Sequence, residues 1–165
     1  MKLIRFGALG KEQIGVQIEG KNYDVSAFGG DYNEAFFAED GLVRLAAYIQ
    51  GQGDRLAEIP AGTRLGSPIA RPSKLICIGL NYKDHAEETG AAIPKEPIIF
   101  MKSTTAIVGP QDQVMIPRGS QKTDWEVEFG IVIGQEASYV EEDEALDYVA
   151  GYVLHNDVSE REYQL

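Results

Sequence analysis

Apolar and polar residues alternate near the start of the chain. In Ile14-Gly15-Val16-Gln17-Ile18 the apolar side chains recur at every second position, the period of a half-buried strand. The same logic predicts strands over Lys2–Ala8, Ile14–Glu19 and Asn22–Val25, joined by turns at Gly10-Lys11 and Gly20-Lys21. The period then changes. Leu42, Leu45, Ala46 and Ile49 share one face of a helix that Asp40 can cap and that Gly51 and Gly53 end. Residues 1–66 thus read as a small β/α unit, and no chemical site is apparent in them.

Pro60, Gly62, Gly66, Pro68 and Pro72 give residues 60–73 the composition of a linker. Beyond it the pattern is of short strands with few long helices: Lys74–Gly79, Ile98–Met101, Glu126–Ile133 and Gly151–Asn156. Short helices are predicted over 81–90, capped by Asn81 and stopped at Gly90, and over Glu141–Tyr148. The expectation is a mainly β protein with some helix (α+β), its second part, 67–165, forming a barrel or roll.

Charge narrows the function classes. The 26 acidic residues outnumber the 15 basic ones, for a net charge of -11, and no basic cluster is present. That argues against nucleic acid and against an anionic membrane surface as partners. The N-terminus lacks a signal-peptide core, and no stretch approaches the roughly 20 apolar residues of a membrane span, so a cytoplasmic protein is expected. Cys77 is the single cysteine and sits in the apolar run Leu75-Ile76-Cys77-Ile78. It reads as a small buried hydrophobe rather than a nucleophile.

The strand around Glu126 separates by parity. Val127, Phe129, Ile131 and Ile133 point one way; Glu126, Glu128 and Gly130 point the other. The two carboxylates then lie about 7 Å apart on one face. If that face is buried, a divalent cation would remove the cost of two unpaired anions, and Gly130 would leave it room. A solvent-facing polar edge accounts for the same pattern. Asp157 ends the second strong strand, where it can be a functional side chain or the cap of a helix, since Asp157-Val158-Ser159-Glu160 has capping-box spacing. His155 shares its face. Three carboxylates would make an all-oxygen ligand set, suited to Mg²⁺, Mn²⁺ or Ca²⁺.

His85 and Glu88 are three residues apart on the short helix. A carboxylate beside a histidine raises its pKa and orients it, which suits a general base. A surface helix with local charge pairs, Lys83 with Glu87 among them, is the plainer reading.

Four stretches together resemble the fumarylacetoacetate hydrolase family. Gly79-Leu80-Asn81-Tyr82-Lys83-Asp84-His85 is similar to its G-x-N-Y-x-x-H segment, and Glu96-Pro97-Ile98-Ile99-Phe100-Met101-Lys102 to its E-P-x-x-F-x-K motif. Asp124–Gly134 resembles its E-x-E metal strand, and Gly151–Arg161 its G-Y-x-x-x-N-D-x-S-x-R segment. Residues 1–66 resemble the small leading domain of bacterial members.

The resemblance implies a mixed β-roll behind a small N-terminal domain, usually as a homodimer. It implies Mg²⁺ or Mn²⁺ held by Glu126, Glu128 and Asp157, with His85 as the base, Glu88 as its dyad partner and Lys102 near the substrate. It further implies C–C bond hydrolysis in a small 2-oxo or 1,3-diketo acid, such as an acylpyruvate or a 2,4-diketo-3-deoxy sugar acid. Relatives of this type also include decarboxylases, keto–enol isomerases and proteins called ureidoglycolate lyase. Members continue past the equivalent of Leu165, adding strands, a lysine and a threonine-containing loop. The roll is therefore expected to be incomplete here, in a fragment or in a chain whose remainder is another polypeptide.

Overall fold

A computed structural model describes residues 1–164. Strands β1 (Lys2–Phe6), β2 (Gln13–Ile18) and β3 (Lys21–Asp24) form an antiparallel meander in the order β1-β2-β3. The β2–β3 turn has two residues, Glu19 at φ 50° and Gly20 at φ 83°. Positive φ at both central positions matches the right-handed twist of the flanking strands. Gly15 is required where it stands, because a Cβ there would lie 2.9 Å from Tyr23 O and 3.0 Å from Ile59 Cδ1.

Two helices cover this sheet, α1 (Glu34–Ala38) and α2 (Gly41–Gln52). The sequence pattern missed α1, a helix too short to show a period. Its cap is nonetheless plain, with the Phe36 N–H donating to Asn33 Oδ1 at 3.0 Å. Asp40 sits at the N-cap of α2 but in a left-handed conformation, and its side chain makes no capping bond. Leu45 is buried and Leu42 and Ile49 pack on the core, as the period requires, whereas Ala46 is exposed. The core joins Ile14, Val16, Val25, Tyr32, Phe36 and Leu45. Complete burial of a side chain such as Leu45 contributes about 2 kcal/mol. At its centre the Tyr32 hydroxyl donates to Gly15 O at 2.9 Å.

Residues 60–73 have the composition of a linker but pack on the first unit. Leu65 bridges to Phe6, and the buried Ala70 donates its N–H to Tyr32 O. Arg64 reaches across this junction. It donates to Glu12 Oε1 at 2.8 Å and to Asp112 through Nε at 2.7 Å and Nη2 at 2.6 Å.

The second part is built of β4 (Leu75–Gly79), α3 (Lys83–Thr89), β5 (Ile98–Lys102), β6 (Thr123–Asp124), β7 (Val127–Ile133), β8 (Val149–Asn156) and β9 (Ser159–Glu160). Among the described residues these strands form three separate antiparallel pairs: β4 with β5, β6 with β9, and β7 with β8. Glu142–Tyr148 is a 3-10 helix, and Gly90 ends α3 in the left-handed conformation. Tyr82, not Asn81, stands at the N-cap of α3, and the Asn81 amide instead donates to Ile78 O. The helix suggested over 157–160 does not form, since Ser159 and Glu160 pair with Asp124 and Thr123 as strand β9. Glu162–Gln164, whose sequence looks like part of a helix, are not helical, and Leu165 lies outside the described residues.

Burial is uneven between the two parts. All the buried apolar residues except Ala86 fall at or before Ala70. Val127, Phe129, Ile131 and Ile133, one apolar face of β7, are more than half exposed. A two-stranded sheet is marginal alone, and here neither hairpin has its apolar side covered.

Candidate active site

The register of β7 and β8 sets the geometry of the site. Glu128 stands directly opposite His155 and Gly130 opposite Val153, and the Asp157 N–H extends the ladder to Glu126 O at 2.8 Å. Residues directly opposed in an antiparallel pair share a face. Glu126, Glu128, His155 and Asp157 therefore lie on one side of the hairpin, and Val127, Phe129, Tyr152 and Leu154 on the other.

The room expected beside Gly130 is taken. A Cβ at 130 would lie 2.7 Å from Val153 Cγ1, so this glycine makes space for the cross-strand valine rather than for a cation.

Asp157 is the most enclosed of the three carboxylates, at 7% exposure. Its counter-charge is Lys102 at the end of β5, which is ion-paired to it. The Lys102 ammonium also donates to Ser159 Oγ at 2.9 Å and to Val158 O at 3.1 Å. This lysine joins the β4–β5 hairpin to the end of β8. Cys77, on the same face of that hairpin as Lys102, is half-buried rather than fully buried as expected. Burial, and then the nearby Asp157 and Glu128 carboxylates, push its thiol pKa up, with Lys102 opposing them.

Glu126 has a different counter-charge. Arg161 Nη2 lies 2.6 Å from Glu126 Oε1 and 3.0 Å from Asp124 Oδ2. With Arg161 drawing off one carboxylate and Lys102 holding another, no three His, Cys, Asp or Glu side chains among the described residues stand close enough to hold a metal jointly. The donors still fit a hard divalent cation in kind: three carboxylates on one sheet face, one of them buried and compensated at present by the Lys102 ammonium.

His85 lies exposed on α3, and no ion pair joins it to Glu88 among the described residues. Its ordered contacts are through the backbone, its N–H donating to Asp84 Oδ1 and its carbonyl accepting from Thr89 Oγ1. Lys83 and Glu87 are likewise unbridged. The structure brings Lys102 to Asp157 and aligns the carboxylates, but it leaves the His85–Glu88 dyad unjoined.

Sequence reasoning gave no role to Arg161 or Ser159. For Arg161 a signal existed, because it is the one lysine or arginine between Asp124 and Leu165, in a stretch dense with acids. Ser159, like Arg161, is a fixed position of the G-Y-x-x-x-N-D-x-S-x-R segment, but its contact depends on Lys102 from a distant strand.

The sequence matches a known family. The profile described as fumarylacetoacetate (FAA) hydrolase C-terminal matches residues 74–165, and the chain belongs to that family. A Burkholderia multivorans protein, named only provisionally as a hydrolase, is 47% identical over 166 residues, covering 100% of this chain and 58% of the relative. The chain thus spans somewhat over half the length of the curated relatives it matches.

Among solved structures it is similar to maleylpyruvate hydrolase from Sphingobium sp. SYK-6 in complex with manganese(II) and pyruvate. That likeness has a TM-score of 0.78 at 27% identity and covers 98% of this chain and 60% of that one. Fumarylacetoacetate hydrolase from Exiguobacterium antarcticum gives 0.74 at 30%, covering 99% and 58%. A 5-carboxymethyl-2-hydroxymuconate delta-isomerase from Mycobacterium smegmatis gives 0.67 at 29%, covering 99% and 57%. The mixed strand-and-helix fold is that of the family, and no helix among the described residues is long and apolar enough to cross a membrane.

Proposed function

We propose that the chain carries the cation-binding half of a hydrolase that cleaves a C–C bond in a small 2-oxo or 1,3-diketo acid of the acylpyruvate kind. We also assign residues 1–66 to a separate leading domain and 67–165 to the catalytic one. The observation that carries the reading is Asp157, a buried carboxylate whose Oδ1 already faces a positive charge, the Lys102 ammonium, on one sheet face with Glu126 and Glu128. The manganese-bound maleylpyruvate hydrolase supports it from outside.

In this reading Glu126, Glu128 and Asp157 hold Mg²⁺ or Mn²⁺. The bound cation would supply positive charge to the adjacent oxygens of the diketo acid. The chain's own groups do the rest. The His85 imidazole takes a proton from water, with Glu88 orienting it once α3 is seated over the substrate. Water's oxygen bonds to the carbonyl carbon as the C–C bond breaks, and a proton returns to the departing carbon. Lys102 Nζ offers a positive charge to a substrate carboxylate while compensating Asp157. Isomerisation at the same site is the second reading, favoured by the likeness to a delta-isomerase.

Two measurements test this. Calorimetry with Mn²⁺ should give binding that Asp157→Asn and Glu126→Ala each lose, and unchanged affinity in both would remove the carboxylates from the site. Product analysis with an acylpyruvate should give two acids for hydrolysis, whereas a single rearranged acid selects isomerisation. His85→Ala should keep the cation and lose turnover.

A further inference from the structure

The pairing of β7 with β8 runs from Ile133 down to Val127, which stands opposite Asn156. It resumes in the same register as β6 with β9, Asp124 opposite Ser159 and Thr123 opposite Glu160. Glu126 and Asp157 face each other in the gap between these two ladders, joined there by the bond from the Asp157 N–H to Glu126 O at 2.8 Å. Two of the three proposed cation ligands therefore take their spacing from whatever closes the pairing on either side. One side is closed by seven residue pairs and the other by two. So short a ladder is marginal by itself.

Glu160 supplies what the short side lacks. Its Oε2 accepts from the Ser120 hydroxyl and, at 2.8 Å, from that of Thr123. Its Oε1 accepts from the N–H groups of Lys122 at 3.1 Å and Glu162 at 3.2 Å. Four donors fill the acceptor sites of a carboxylate, so none is left for a cation. Strand parity also turns Glu160 away from the site. It lies with Thr123 on the opposite side of the strand pair from Asp124 and Ser159. On the site's side, Ser159 Oγ accepts from Lys102 at 2.9 Å, and Arg161, next along the chain, holds both Glu126 and Asp124.

We propose that Glu160 is a positioning residue for the cation site. It clamps residues 120–123 onto β9 and so fixes the gap in which Glu126 and Asp157 face each other, without touching the cation. The inference rests on the cation reading of Glu126, Glu128 and Asp157.

The test is calorimetry of Mn²⁺ with the full 165-residue chain, with urea midpoint and amide exchange measured alongside. Glu160→Gln leaves one accepting oxygen in place of two. It is expected to weaken Mn²⁺ binding about tenfold, as loss of a group that orients metal ligands does. Ser120→Ala combined with Thr123→Val breaks the clamp while keeping every charge, and should weaken Mn²⁺ several-fold. Adding these two changes to Glu160→Gln should cost little more, because they remove the same contacts. The Asp157 and Arg161 N–H groups should exchange faster in each variant, while β1–β3 should not.

Parent affinity in Glu160→Gln, even with a lower urea midpoint, would overturn the proposal and leave this glutamate a structural support alone. Weakening in Glu160→Gln that the Ser120→Ala and Thr123→Val variant does not share would overturn it too, since charge would then be the cause. Loss of amide protection throughout β7 in both variants would also count against it, as general unfolding of the hairpin. A parent chain that binds no Mn²⁺ strikes the cation reading itself, and this inference falls with it.

Discussion

Lys102 and Asp157, on different hairpins, form an ion pair that leaves the aspartate almost wholly enclosed. The pair also sets where β5 lies relative to the end of β8, because Lys102 donates to Ser159 Oγ and Val158 O. Removing one partner of such a pair leaves a buried charge uncompensated. Lys102→Met is expected to destabilise the chain by about 3 kcal/mol, read from urea unfolding. Asp157→Asn in the same background should recover most of that loss, because the double variant no longer buries an unpaired charge. Additive losses would mean that the two residues act independently.

Arg161 competes with any cation for Glu126. Its guanidinium lies 2.6 Å from Glu126 Oε1 and is held in place by Asp124. A divalent ion at that carboxylate must displace or tolerate this positive charge. Arg161→Gln is therefore expected to tighten Mn²⁺ binding several-fold in calorimetry, while Arg161→Lys, which keeps the charge, stays near the parent value. Weaker binding in Arg161→Gln would instead give the arginine a supporting role in the site.

The strands and the carboxylate face were legible in the sequence because period and parity are local properties. Glu126 and Glu128 do share a side, as the alternation along 124–134 implied, whereas Asp157 joins them through the cross-strand register, which no local pattern gives. What local pattern could not reach was the partner of each group. Asp157-Val158-Ser159-Glu160 has capping-box spacing, yet Ser159 and Glu160 pair with residues more than thirty positions away. There Glu160 accepts from Ser120 and Thr123 and from the N–H of Lys122. Parity also found the apolar side of β7 but not that it would be open, since burial depends on what lies over a strand. The family motifs, not the spacing of the acids, singled out this E-x-E strand from others.

Gly130 offers a direct check of the cross-strand packing. A Cβ there would lie 2.7 Å from Val153 Cγ1 and 3.2 Å from Val153 O. Gly130→Ala is expected to cost about 1–3 kcal/mol by overpacking. Adding Val153→Ala should restore much of the stability, because it removes the side-chain contact and leaves only the looser backbone one. A neutral Gly130→Ala would show that β8 yields at this point.

Arg64 should make the stability of the chain depend on acid. Its bonds to Asp112 hold that carboxyl below its ordinary pKa. Burial works to raise Glu12, but the Arg64 contact and neighbouring bonds leave it lowered too. Groups with depressed folded values contribute stability above their unfolded pKa, about 4 for carboxylates, and lose it as pH falls through the folded values. The tie between Glu12 and the Asp112 loop should then weaken below that point. Arg64→Met removes the shared cation at every pH. The gap in urea midpoint between parent and variant should accordingly be wider at pH near 6 than at pH near 3, because the parent's advantage declines as pH falls below the unfolded carboxylate value toward the lowered folded ones. An equal gap at both values would mean that Arg64 stabilises the junction by packing of its stem rather than by charge.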